Sequence, residues 1–307
     1  MQLLRTPDER FAELPGFAFA PRYVEIGALR MHYLDEGPKT APVALCLHGQ
    51  PTWAYLYRNM IPAFLAAGLR VLAPDLFGFG RSDKPVDEDV YTFDFHRSSV
   101  MSLIEALDLR RVMLVCQDWG GLIGLTIPMD MADRFDRLLV MNTMLGTGDA
   151  PLGEGFLAWR AFSNRSPDMD IAALMQRAVP GLADKQAAAY AAPYPDQRYK
   201  AGVRRFPNLV PDRPDAGGAA LKARIEALGV GVHLSRATQE IIVGEQYAYR
   251  MVFQDGEFLE TDLIVFSAGI RPQDALARDC GLELAARGGV VVDSDCRTSD
   301  PAIFAIG

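Results

Sequence analysis

The chain has 307 residues, half of them hydrophobic and 23% charged, with 27 glycines and 20 prolines. That is enough apolar material for a packed core, and it excludes a disordered or low-complexity chain. The 39 acidic side chains outnumber the 31 basic ones, for a net charge of −8, which argues against a nucleic acid partner.

The opening MQLLRTPDER carries charges and no apolar stretch, so no secretory signal is expected there. No run reaches the roughly 18 uncharged apolar residues of a membrane helix, and the expectation is a cytoplasmic protein without a membrane partner. Residues 23–26 and 29–34 read as a hairpin. The runs 43–47, 70–73, 112–116 and 138–141 are continuously apolar, as in strands covered on both faces. Amphipathic stretches at 56–67, 93–107 and 122–132 alternate with them, which predicts an α/β fold with a mostly parallel sheet. After Asn142 the strand-like runs stop, and helical pieces at 156–162, 171–179 and 184–191 suggest a cap.

DRPDAGGAA at 212–220 reads as a linker. Beyond it come a helix at 221–228 and a strand at 230–234. Strands at 241–243, 247–253 and 258–260 suggest an antiparallel meander turning at Asp255-Gly256. Further strands at 263–267, 290–292 and 303–306 and a helix around 274–280 complete the pattern. The expected organisation is a core at 1–144, a helical cap at 145–211, the linker, and a small β-rich segment at 221–307. Cys46, Cys116, Cys280 and Cys296 follow no metal spacing and read as reduced thiols, two of them within strands. No metal is expected.

The most informative stretch is VMLVCQDWGG, 112–121. A buried strand gives way to a helix over 119–132 within a few residues, and Asp118 sits between small neighbours, Cys116 and Gly120. This is the pattern of a nucleophile elbow, in which tight packing exposes the central side chain. A carboxylate there is a poor acyl-transfer nucleophile, but it can displace a leaving group from an sp³ carbon. The plainer reading, Asp118 as a helix N-cap, leaves the following Gly-Gly unexplained. HGQPTW, 48–53, follows a strand where this class places an oxyanion loop. Gln50 and Trp119 are thus expected as backbone N–H donors.

HGQPTWAYLYRNM at 48–60, APDLFGFGRSDKP at 73–85 and LVCQDWGGLIGL at 114–125 closely resemble haloalkane dehalogenases acting on short chloroalkanes. In the cap, GFLAWR at 155–160 and AYAAPYPDQRYKAGVRRFP at 189–207 extend the resemblance, which covers roughly 1–220. It implies an α/β-hydrolase core with a helical cap, truncated before its last two strands so that 138–141 becomes an unprotected edge unless the tail covers it, with a small haloalkane substrate and a halide product. By the same resemblance Asp118 attacks the halogen-bearing carbon, Trp119 and Trp159 hold the halide, and Phe156 walls the pocket. An epoxide hydrolase is the related alternative; that family usually carries His before the nucleophile, where this chain has Gln117.

A general base and its supporting acid would complete the resemblance. The four histidines are His32, His48, His96 and His233. Only His233 follows the elbow, inside the alternating VGVHLS, and it is a weak candidate for the base. Asn142 stands after the sixth strand, where some relatives carry the acid. The tail at 226–234, 253–272 and 277–307 instead resembles FAD-dependent NAD(P)H reductases of the nitrite and rubredoxin reductase group. The resemblance implies only the end of a nicotinamide domain and the start of a return to an FAD domain. The Gly-rich phosphate-binding fingerprint is missing, so no cofactor is expected. A dehalogenase without its base, a reductase fragment, and a non-catalytic fusion of two truncated enzymes are the three readings left by the sequence.

Overall fold

In a computed structural model, the described residues are 2–144, 146, 148, 151–213, 216, 238–243, 249–261, 278–284, 290, 291, 293 and 297–300. The chain divides into two compact units, Met1–Ile264 and Val265–Gly307.

In the first unit, strand β1 (Leu3–Leu4) precedes the hairpin β2 (Arg22–Ile26) and β3 (Leu29–Glu36), whose turn carries Gly27 at φ 59°. The strands β4 (Val43–Leu47) and β5 (Arg70–Pro74) follow, every residue of both buried. Between them, where one amphipathic helix was expected, the chain makes a 3-10 turn (Ala54–Tyr57) and then restarts as α1 (Ile61–Ala66). Pro62 lies in the first turn of α1, where its missing N–H is tolerated.

The short strand β6 (Lys84–Pro85) pairs with β1. Thr92 then caps α2 (Phe93–Ala106), its hydroxyl accepting from the Phe95 N–H at 3.0 Å. Phe93, His96, Val100, Leu103 and Ile104 form the buried stripe of α2, at the spacing of one helical face.

Next come β7 (Val112–Gln117), α3 (Trp119–Gly124) and β8 (Phe135–Met141). The helix α3 is half the expected length, because β-branched Thr126 and Ile127 and then Pro128 follow it. The sheet runs β2-β3-β5-β4-β7-β8, parallel from β5 to β8 and antiparallel at the hairpin end. Among the described residues β8 pairs only with β7. Its apolar run reads as buried on both faces, but Leu138 is 54% exposed, in keeping with the edge position expected of a truncated core. Such an edge presents unpaired backbone groups.

The cap helices are α4 (Glu154–Arg165), α5 (Ile171–Ala178), α6 (Asp184–Ala191) and α7 (Ala201–Arg205). Asp170 caps α5 by accepting the Ala173 N–H at 3.0 Å. The meander is present as β9 (Thr238–Val243), β10 (Tyr249–Phe253) and β11 (Phe258–Thr261), antiparallel in the order β11-β10-β9. In the second unit the described residues include an antiparallel bridge between Leu284 and Val290.

Cys46 and Cys116 are buried free thiols and Cys280 is an exposed one. Cys296, His233, and the elements expected at 221–234, 263–267 and 303–306 lie outside the described residues. Among the described residues no helix is long and apolar enough to cross a membrane.

Candidate active site

At the end of β7, Asp118 takes φ 53° and ψ −125°. A side chain rarely adopts such a backbone, at a cost of about 1–3 kcal/mol. The surrounding packing imposes it. A Cβ on Gly120 would fall 1.9 Å from the Leu47 carbonyl oxygen, and one on Gly49 would fall 2.1 Å from Asp118 Oδ1. Only glycine fits at either position. Asn142, itself at φ 39°, accepts the Asp118 N–H at 3.1 Å, and the Thr143 hydroxyl donates to the Asp118 carbonyl at 2.6 Å.

The carboxylate is buried, and burial raises its pKa above the ordinary 3.8, while the N–H groups of Trp119 and Gln50 oppose that rise. The Gln50 N–H donates to Oδ1 at 2.8 Å. The two backbone donors expected from the sequence thus both meet the carboxylate. Asp118 itself is part of the lining of a cavity.

That cavity, of about 420 Å³, is lined by Asp118, Trp119, Leu122, Asn142, Phe156 and Val210, among others. Among the described lining residues Asp118 is the one titratable side chain. Trp119 is 4% exposed and stacks on Phe206, ring centroids 4.7 Å apart. Phe156 and Trp159 share α4. Phe156 reaches the lining, whereas Trp159 packs on Phe162 at 5.8 Å. The third tryptophan, Trp53, spends its indole N–H on the Ala189 carbonyl at 3.2 Å.

The oxyanion loop is tied to the cap at further points. Gln50 Nε2 donates to the Val203 carbonyl at 2.8 Å, Tyr194 to the Pro51 carbonyl at 3.2 Å, and Arg58 to the Tyr190 hydroxyl at 3.1 Å.

The three described histidines stand outside the lining. His48 is neutral and fixed in one tautomer: burial lowers its pKa, Nδ1 donates to the Gly49 carbonyl at 2.8 Å, and Nε2 accepts the Leu76 N–H at 3.0 Å. His96 lies among Tyr91, Phe95 and Phe206 without a hydrogen bond to either nitrogen, and burial pushes its pKa down to about 3. His32 pairs with Asp75 on the hairpin side of the sheet.

Thr143, Phe206, Leu122 and Val210 were not among the residues expected from the sequence. The one local signal was Asn142-Thr143, polar residues directly after an apolar strand.

Residues 42–214 match the alpha/beta hydrolase fold family, and residues 196–307 match the pyridine nucleotide-disulphide oxidoreductases. A haloalkane dehalogenase of Psychrobacter cryohalolentis is 51% identical over 221 residues, 70% of this chain and 73% of that protein. The solved tetrameric haloalkane dehalogenase DpaA of Paraglaciecola agarilytica NO2 is 51% identical, with a TM-score of 0.71, covering 74% of this chain and 78% of that one. The nitrite reductase [NAD(P)H] large subunit of Klebsiella oxytoca is 57% identical over 106 residues, 34% of this chain but 11% of that protein.

The second likeness implies a dinucleotide or a flavin, and the described residues of that segment do not fit one. A pyrophosphate cradle needs a glycine-rich turn from strand to helix. Here the glycine turn, with Gly256 at φ 85°, joins β10 to antiparallel β11. Among the described residues no group of His, Cys, Asp or Glu is placed to hold a metal ion. Elbow, oxyanion loop, cap and sequence identity agree: the chain belongs to the haloalkane dehalogenases, hydrolases of the α/β hydrolase fold that act on carbon–halide bonds, and it continues into a segment similar to part of a pyridine nucleotide oxidoreductase.

Proposed function

We propose that this chain breaks the carbon–halogen bond of a small haloalkane through an ester on Asp118, and that the ester accumulates. The observation that carries this reading is the buried, strained Asp118 carboxylate, anchored by the Gln50 N–H at 2.8 Å and opening on a largely apolar cavity. A carboxylate oxygen forms a bond to the sp³ carbon as the carbon–halogen bond breaks, and halide leaves with the electron pair. The indole N–H of Trp119, in the lining, receives the halide; Trp159, which packs on Phe162 outside the described lining, is the second donor that the family likeness implies. Indole donates without accepting, which suits a weakly hydrated anion in a dry pocket. Phe156 supplies apolar wall against the alkyl chain.

Release of the alcohol needs a second step. Water attacks the ester carbonyl, the oxyanion forms where Gln50 and Trp119 already point their N–H groups, and a base must take the water proton. Among the described lining residues Asp118 is the one titratable group, and as an ester it can no longer accept a proton. General base catalysis contributes roughly 10²–10⁴-fold, so the second step is the one that suffers.

Mass spectrometry after incubation with 1-bromobutane is expected to find one alkyl group per chain, mapped to Asp118, with about one bromide released per chain. Asp118→Asn should carry none. Trp159→Phe should slow ester formation if that indole reaches the halide. Sustained turnover would refute the stall and make His233 the first residue to replace. Neither adduct nor bromide would favour an inert fusion.

A further inference from the structure

The oxyanion loop is pinned at both ends by neighbouring residues that follow β5. At its start, His48 Nε2 accepts the Leu76 N–H at 3.0 Å. At its finish, the Ala54 N–H donates to Asp75 Oδ1 at 2.8 Å. Between these anchors Thr52 closes the loop on the Gly49 carbonyl at 2.9 Å, and the Gln50 N–H reaches Asp118.

Asp75 is fully buried and is itself oriented. Its Oδ2 accepts from His32 Nδ1 at 2.7 Å and from the Arg81 N–H at 2.8 Å. A Cβ on Gly80 would fall 1.9 Å from that oxygen, so the following turn is folded directly onto the carboxylate. Burial works against the charge, yet His32 and the Ala54 N–H hold the Asp75 pKa down at about 2. Because the carboxylate stays ionised, His32 Nδ1 is the donor of the pair. His32 Nε2 is buried without a partner, so one nitrogen of this ring does all its polar work. A buried carboxylate with three donors is costly to assemble, and it makes no contact with the cavity lining.

The geometry points to Asp75, oriented by His32, as a positioning residue that fixes the loop from His48 to Ala54 so that the Gln50 N–H meets the Asp118 carboxylate. The inference rests on Asp118 being the nucleophile for its consequence in catalysis, but the placement of Gln50 can be read without any substrate.

Hydrogen exchange of the Gln50 amide, followed by NMR in the full chain, measures that placement. In His32→Ala and Asp75→Asn, Gln50 should exchange about 10-fold faster or more, while the amides of β4 keep their protection. His32→Asn should restore Gln50, since its amide nitrogen can stand where Nδ1 stood and nothing depended on Nε2. In the same variants the adduct with 1-bromobutane should form about 10-fold more slowly at saturation, with the half-saturating concentration unchanged.

Two results would overturn the inference: unchanged Gln50 exchange in folded His32→Ala, or loss of β4 protection in step with Gln50, which would mark a general structural role. Failure of His32→Asn to restore Gln50 would also overturn the part given to His32. An inert parent chain whose Gln50 responds as described would count against the proposed function alone and leave the positioning role standing.

Discussion

Two stretches of chain bordering the cavity live under different constraints. At the elbow, atoms added to Gly49 or Gly120 would overlap Asp118 or the Leu47 carbonyl, and β4 beneath is buried throughout. Around the end of β8, Asn142 and Met144 are exposed, and Leu138 shortly before them is 54% exposed. The group that attacks is therefore fixed by dense packing from residues close to it in the fold. The other border supplies neither charge nor a proton acceptor among its described residues. The contrast teaches that the two chemical steps of one reaction can be furnished by separable parts of a fold. On the proposed mechanism, ester formation draws on 48–119, while the described residues of the other border hold no group to activate water.

The harshest way to sharpen the contrast is Gly120→Ala. Its methyl group meets a backbone carbonyl that also accepts from Tyr57 at 2.7 Å, so neither side can give. Urea denaturation should find a loss of about 3 kcal/mol or more, and the adduct should vanish. Full stability with normal alkylation would break the comparison.

A second probe is pH. Burial holds the Asp118 pKa above its ordinary 3.8, against the pull of the Trp119 and Gln50 N–H groups. On the proposed mechanism only the carboxylate attacks, so the rate of adduct formation should be level above the raised pKa and fall by about tenfold per pH unit below it. The sign for stability follows. The folded state holds the proton more tightly than the unfolded chain, so the group's contribution is present at low pH and lost as pH rises through the folded pKa. Asp118→Asn should therefore be the more stable protein at neutral pH while forming no ester. An inflection at or below 3.8 would contradict the burial argument.

The smallest effect is expected on the loose side. Leu138→Lys should shift stability by no more than about 0.5 kcal/mol, read by thermal unfolding. A loss as large as that of Gly120→Ala would mean that β8 is covered in solution.

The sequence made some of this legible and hid the rest. The strands 43–47 and 112–116 announced themselves because both of their faces are buried, so every position is apolar. The same pattern at 138–141 does not mean burial on both faces: Leu138 is exposed at the end of the described sheet, the edge expected once the last two strands are missing. The elbow was readable because its residues are contiguous in the chain and its glycines are required by close neighbours, the Leu47 carbonyl at Gly120 and the Thr143 side chain at Gly121. The role of Asp75 was not readable, because it depends on His32 and Ala54, which pairing of β3 with β5 and the turn after β4 bring to it. The expected helix over 119–132 ends at Gly124, ahead of β-branched Thr126 and Ile127 and of Pro128, where local propensity outweighed the apolar pattern.

The ties between oxyanion loop and cap carry a consequence for how molecules arrive. Trp53, Gln50, Tyr194 and Arg58 all bond across that junction. Lifting the cap would therefore drag on the loop that positions Asp118, and opening would dismantle the machinery it admits substrate to. On the proposed activity, entry with the cap in place would make the protein a kinetic sieve. Slender unbranched halides should be captured far faster than branched ones of equal reactivity, with the discrimination residing in the rate of arrival and not in the bond that breaks.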